Sequence, residues 1–231
     1  MKCWICGSDA DSGEHVIKAS DLKAVFGVIT QKKPLYTRTR LRRNQPIGGI
    51  NSDRLKYGAR ICARCNDTRT QPHDRAWELL SNYLRSRHPP IEDGTVIDLD
   101  KVFPRAVKRS MLRVHLFFVK LFGCRIVEHA IPLDVQPFAN AILRGVAHPK
   151  VHLAFWTHPL GKGAGLTPVF VRKVGNTLRY AGWCYVLDRI AVNVVYLEPP
   201  QRRKDLAHAW HPSTLRKRVR IVRLGAKPSR Q

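Results

Sequence analysis

The strongest pattern in the chain begins at Thr70. In "TQPHDRAWELLSNYLRS", Ala76, Trp77, Leu80, Tyr83 and Leu84 recur at helical spacing and give the segment one apolar face. Thr70 can cap it, Pro72 suits its first turn, and Asp74 favours the positive end of the helix dipole. The run "DKVFPRAVKRSMLRVHLFFVKLFG" predicts a helix or two, with Val107, Met111, Val114, Phe118 and Leu121 on one side, and "QPFANAILRGV" predicts another. The period then changes. "KVHLAFWTH", "LTPVFVRKV", "LRYAGWCYVL", "IAVNVVYLE" and "RVRIVRL" read as strands, several with alternation.

Upstream of Thr70 the pattern is weaker. "EHVIKASDLKAVFG" reads as a short strand followed by a helical turn, with Ser20 or Asp21 as cap. "QKKPLYTRTRLRR" is an exposed basic loop or hairpin, and "PIGGINSD" is a turn region. "SRHPPIEDGT" joins a double proline to a glycine and reads as a linker or long loop. The expected organisation is therefore an N-terminal module over 1–86, a linker over 87–100, and a second α+β part over 101–231. That second part has helices first and a mostly antiparallel sheet after them, with enough apolar residues for a core of its own.

Composition places the chain among globular proteins: of 231 residues, 44% are hydrophobic and 25% charged. No apolar run approaches the roughly 20 residues of a membrane span. The longest, Ile190 to Leu197, is interrupted by Asn193 and reads as a strand. The N-terminus lacks the apolar core of a signal peptide. These features suggest a cytoplasmic protein that does not engage a membrane. Charge changes the picture most. Lys plus Arg number 41 against 17 Asp plus Glu, a net charge of +24. Such a field attracts polyanions, and nucleic acid gains from it by releasing counterions. The basic residues are spread along the chain rather than gathered in an amphipathic helix, which favours nucleic acid over an anionic membrane.

Four of the six cysteines form two Cys-x-x-Cys knuckles, Cys3–Cys6 and Cys62–Cys65. Each knuckle directs two thiolates to one point, and two knuckles supply a four-cysteine tetrahedral site. In a cytosolic chain this arrangement points to structural zinc rather than disulfides. The stretch between the pairs is longer than in compact zinc ribbons, so the metal would close a long loop. A closed four-thiolate site leaves no position for substrate. Cys124 and Cys184 lie in apolar segments and read as core thiols.

The knuckles bracket Glu14-His15, and Asn66 follows the second at once. With "CWICG", "GEHVIKASDL", Gly48-Gly49, "ICARCN" and "TQPHD", the first 86 residues resemble the HNH nucleases, which have the ββα-metal (His-Me finger) fold. The resemblance implies an α+β chain opening on a zinc-stabilised ββα-metal module. It also implies His15 as general base, with Glu14 and Asn66 as ligands of a catalytic divalent ion, Mg²⁺ or Mn²⁺, with Zn²⁺ as a further option. Either Asp74 or His73 would complete that ion's shell. Asp74 is the better oxygen donor for a hard ion, and it also has an ordinary place in a helix's first turn.

Phosphodiester hydrolysis suits these residue types. A neutral imidazole can take a proton from water near neutral pH, and a hard cation can stabilise the phosphate and the leaving 3′ oxygen. Adjacent Glu14 and His15 cannot face the same way on a regular strand. No asparagine stands where relatives orient the base histidine. Asn51 or a backbone carbonyl are the alternatives. Lys18 stands where relatives carry a proline and could contact a phosphate. Arg38, Arg40, Arg42, Arg43 and Arg69 are further candidates for phosphate contact. His208 and His211 in "AHAWHP" are a weaker metal candidate. The expected function is metal-dependent cleavage of double-stranded DNA. The alternative is a zinc-stabilised protein that binds DNA or RNA without cleaving it. Residues 87–231 resemble no family, and sequence specificity and oligomeric state have no sequence signature.

Overall fold

The structure is a computed structural model describing residues 1–38, 43–157, 163–200, 206, 208–214 and 216–223. It is mixed α+β. Helix α1 (Ala19–Phe26) is followed by a hairpin of β1 (Leu35–Thr37) and β2 (Gln45–Ile47), with Leu35 opposite Ile47. A short 3₁₀ turn (Asp53–Leu55) leads to the second knuckle. A π-helical stretch (Arg64–Arg69) then runs directly into α2 (Gln71–Ser86).

Helix α2 buries the apolar face read from its sequence, including Ala76, Trp77, Leu80 and Leu84. Thr70 stands at its start, but its side chain does not cap the helix. The hydroxyl donates instead to the Asn66 carbonyl at 3.0 Å. The stretch read as a linker is only partly a loop. It contains β3 (Val96–Asp98), and Leu99 begins the short helix α3 (Leu99–Val102). Strand β3 pairs antiparallel with β9 (Arg218–Arg220), far away in sequence, and no local pattern announces such a partner.

Helix α4 (Val107–Glu128) is the centre of the molecule, and every residue from Val114 to Ile126 is buried. Helix α5 (Gln136–Arg144) ends at Gly145, whose left-handed backbone (φ +63°) closes the last turn. The main sheet joins β4 (Val151–Thr157), β5 (Ala164–Leu166), β6 (Phe170–Val174), β7 (Thr177–Leu187) and β8 (Ile190–Leu197) by antiparallel pairs. Its last strand, β10 (Val222–Arg223), is parallel to β4. Among the described residues no helix is long and apolar enough to cross a membrane.

One buried cluster runs from Cys3 to Ile221, so the cysteine knuckles and the sheet share a core. Trp77 of α2 stacks on Phe117 of α4 at 5.6 Å and meets Tyr185 of β7 edge-on. Asp21 of α1 is buried against the same group. It accepts hydrogen bonds from Trp77 Nε1 (2.7 Å), Tyr185 Oη (2.8 Å) and Ser81 Oγ (3.1 Å), which satisfy a carboxylate that burial alone would expel. Gly123 lets α4 approach the first knuckle. A Cβ there would lie 2.2 Å from Cη2 of Trp4.

Candidate functional site

The first knuckle is a tight turn. Gly7 N donates to Cys3 O and Cys3 N donates to Ser8 O, with Gly7 in the left-handed region at φ +78°. The second knuckle opens the π-helical stretch, where Asn66 N donates to Cys62 O. The ligand atoms of Cys3, Cys6, Cys62 and Cys65 all lie within 4.8 Å of one another. Four thiolates at about 2.3 Å from a zinc ion sit about 3.8 Å apart, so this set fits tetrahedral zinc with a small contraction. No cysteine is in a disulfide. Hydrogen bonds from the side chain and backbone of Ser8 lower the Cys6 pKa to about 6, which eases the loss of one proton to a metal. Arg69 Nη1 donates to Cys65 Sγ at 2.9 Å; burial pushes the Cys65 thiol up, and Arg69 opposes that push, as a metal-bound thiolate would require. Arg69, a candidate for phosphate contact, thus has one guanidinium nitrogen at the cysteine cluster.

The Glu14-His15 segment lies against the chain that leads into the second knuckle. Ser12 N donates to Ile61 O (3.0 Å), Tyr57 N to Glu14 O (2.8 Å) and Val16 N to Leu55 O (2.8 Å). The result is an irregular antiparallel ribbon followed by a helix. Extended backbone sends neighbours to opposite sides. Glu14 accordingly points inward and is 6% exposed, while His15 is half-buried on the other side.

His15 Nε2 lies 3.1 Å from Ile50 O. A carbonyl only accepts, so Nε2 carries the proton and Nδ1 keeps its lone pair. The backbone carbonyl, rather than Asn51, orients this ring. Burial lowers the His15 pKa below its ordinary value. The Ile50 bond opposes that shift, and the charges of Lys56, Lys18 and Lys120 add to it. The imidazole is therefore neutral at physiological pH.

Glu14 meets a partner that the sequence reading did not name. Lys120 of α4 places Nζ 2.9 Å from Glu14 Oε2 and 2.9 Å from Asp74 Oδ1, and donates to Thr70 Oγ1 at 3.3 Å. The lysine side chain is 0% exposed. Burial pushes the Glu14 carboxyl up while the ammonium draws it back. Burial alone would lower the Lys120 pKa, but the two carboxylates outweigh it and hold the amine charged. Glu14 and Asp74 both contact the same ammonium.

The remaining expected residues fall in different places. Asn66 Nδ2 donates to Ser12 Oγ (2.9 Å) and Gly13 O (3.5 Å), which ties the helix start to the ribbon. His73 is buried, neither ring nitrogen has a hydrogen-bond partner, and burial lowers its pKa to about 4. Of the two alternatives, Asp74 shares Lys120 with Glu14, and neither His73 ring nitrogen has a hydrogen-bond partner. The expected divalent shell of Glu14, Asn66 and Asp74 therefore needs correction, because Lys120 stands between the two carboxylates and Asn66 turns to Ser12. Lys18 Nζ lies 3.4 Å from Glu78 Oε2 and contributes positive charge beside His15. Arg38 and Arg43 are exposed beside the β1–β2 hairpin, and Arg40 and Arg42 lie outside the described residues. His211 uses both ring nitrogens, toward Ser213 Oγ (2.7 Å) and His148 O (3.0 Å), and His208 is exposed; neither belongs to a metal-ready group among the described residues.

No family model, curated protein or solved structure matches this chain. The four-cysteine cluster is thus the feature that can hold a metal among the described residues.

Lys120 could have been flagged from sequence. It interrupts "HLFFVKLFG", a helical stretch that is apolar on all sides around it. A charge in such a setting must find a buried partner of opposite sign. A separate cavity of about 580 Å³ at the amino end of α4 is lined by Arg105, Lys108 and Arg109 among others, and by none of Glu14, His15, Asn66, Asp74 and Lys120.

Proposed function

We propose that this protein is an HNH-type endonuclease that hydrolyses phosphodiester bonds in DNA, with His15 as general base. The supporting observation is the state of His15: a half-buried imidazole fixed through Nε2 by Ile50 O and kept neutral by burial, with smaller contributions from Lys56, Lys18 and Lys120. Burial first, and the nearby lysines second, disfavour the imidazolium, so the base is ready when substrate arrives. In the reaction, Nδ1 takes a proton from water as its oxygen adds to phosphorus. The P–O3′ bond breaks, the departing oxygen takes a proton from solvent, and a 5′-phosphate remains. The net charge of +24 supplies the attraction to the duplex. Zinc on Cys3, Cys6, Cys62 and Cys65 would fasten the ribbon to the helix that follows it.

A catalytic divalent ion on Glu14 and Asp74 does not fit these residues, because Lys120 lies between them. No step is routed through one. The same lysine favours a second reading, a zinc-stabilised protein that binds DNA or RNA without cutting it. Supercoiled plasmid and a structured RNA, each incubated with wild type and with His15→Ala, separate the two. Nicking of plasmid by wild type and not by His15→Ala supports the nuclease. Equal, zinc-dependent binding with no cleavage by either protein supports the binding module.

A further inference from the structure

We infer that Glu14 and Asp74 form a lysine socket: Lys120 is their permanent cation and excludes divalent metal from this pair. The ammonium has three protons, and the structure provides three acceptors: Glu14 Oε2, Asp74 Oδ1 and Thr70 Oγ1, at 2.9, 2.9 and 3.3 Å. The polarity of the third is settled by its neighbour. Thr70 spends its own proton on Asn66 O, so its lone pairs remain for Lys120. The Phe117 ring lies 5.7 Å from Nζ and adds a further contact suited to a cation.

The lysine cannot leave easily. Its side chain is fully buried, and its helix is enclosed through Ile126. Val119 and Leu121 on either side are themselves fully buried. Release would need a movement of α4, which Gly123 presses against Trp4. A Mg²⁺ ion needs near-octahedral oxygen ligands at about 2.1 Å and keeps several waters. Between Glu14 and Asp74 the centre is held by nitrogen, and a second cation there would meet an ammonium across a hydrogen-bond distance. The socket also has a structural consequence. It joins a residue of the ribbon between the two knuckles and a residue of α2 to the central helix, so that the first 86 residues are tied to α4 by charge as well as by packing.

The socket itself is independent of the nuclease proposal. Only its corollary rests on that reading: cleavage at His15 would proceed without metal on Glu14 and Asp74. The test uses zinc-loaded, full-length protein. In ¹⁵N-labelled wild type, the Lys120 ammonium gives a slowly exchanging Nζ resonance, assigned by its loss in Lys120→Met or, if that variant does not fold, by its contact with Phe117. Millimolar Mg²⁺ is added, and Mn²⁺ binding to wild type and Glu14→Gln is followed in parallel by electron paramagnetic resonance. The socket predicts an unmoved Nζ resonance and equal Mn²⁺ binding by the two proteins. A shifted or vanished resonance, or a bound Mn²⁺ that Glu14→Gln loses, overturns it. Plasmid nicking in buffer freed of divalent ions by resin keeps the two ideas apart. An unmoved resonance with no nicking under any condition sinks the nuclease and leaves the socket. A displaced lysine with Mg²⁺-dependent nicking sinks the socket and leaves the nuclease.

Discussion

Replacing Lys120 by Met removes the charge and nearly preserves the length and volume of the side chain. Two carboxylates then lose their shared partner. Breaking a buried ion pair on one side costs about 3–5 kcal/mol, because the surviving charge is left without compensation. Asp74 keeps some access to water, with 18% of its side chain exposed, whereas Glu14 keeps 8%. Most of the penalty therefore falls on Glu14, and the lower end of the range, about 3 kcal/mol, is expected. For a chain of this size each kcal/mol moves the melting temperature by about 2–4 °C, so Lys120→Met should melt about 6–12 °C below wild type at neutral pH. The deficit should narrow on acidification. Without the ammonium, nothing opposes the upward push of burial on the Glu14 carboxyl, so the folded variant binds a proton more readily than the unfolded chain and gains stability as pH falls. Thermal melts followed by circular dichroism, at matched zinc content and from pH 7 to about 5, measure both effects. Adding Glu14→Gln to Lys120→Met should recover part of the loss, since the more buried of the two unpaired carboxylates is then gone and the partly solvated Asp74 remains. A deficit under about 1 kcal/mol that does not change with pH would refute the buried pairing.

The other expectations concern different parts of the same architecture. Gly123→Ala puts a methyl group against Trp4 and should cost about 1–3 kcal/mol, read as a lower melting temperature with faster zinc release to a chromogenic chelator. Arg69→Ala should weaken zinc retention by about 10–100-fold, measured by competition with a chelator, while plasmid affinity at fixed salt changes little. Metal analysis of purified protein should find one zinc per chain, lost together with the cooperative melt in Cys62→Ser. Because the His15 pKa lies below its ordinary value, a nicking rate that depends on the neutral ring should rise as pH climbs through the acidic side of neutrality and level off before pH 7.

Local sequence carried much of this architecture. Helices α2, α4 and α5 and strands β4, β7 and β8 were legible because their apolar residues keep one period over long runs. The cysteine cluster was legible because Cys-x-x-Cys spacing constrains each pair by itself. What escaped depends on residues that meet across long stretches of chain. Strand β3 finds β9, and Lys120 finds Glu14, with no local trace of either partner. The shared core was also hidden, since two apolar faces look alike whether they pack on each other or on separate partners. At the candidate site, the sequence identified His15 as a distinctive residue. The structure adds that Ile50 O orients it, a role that no side-chain motif can announce because a backbone carbonyl supplies it.

The most direct test of the account is the nicking of supercoiled plasmid by zinc-loaded wild type beside His15→Ala, followed by treatment with DNA ligase. Wild type alone should nick, and each nick should be sealed by ligase because it carries a 5′-phosphate and a 3′-hydroxyl. Equal nicking by the two proteins, or none by either, would contradict it.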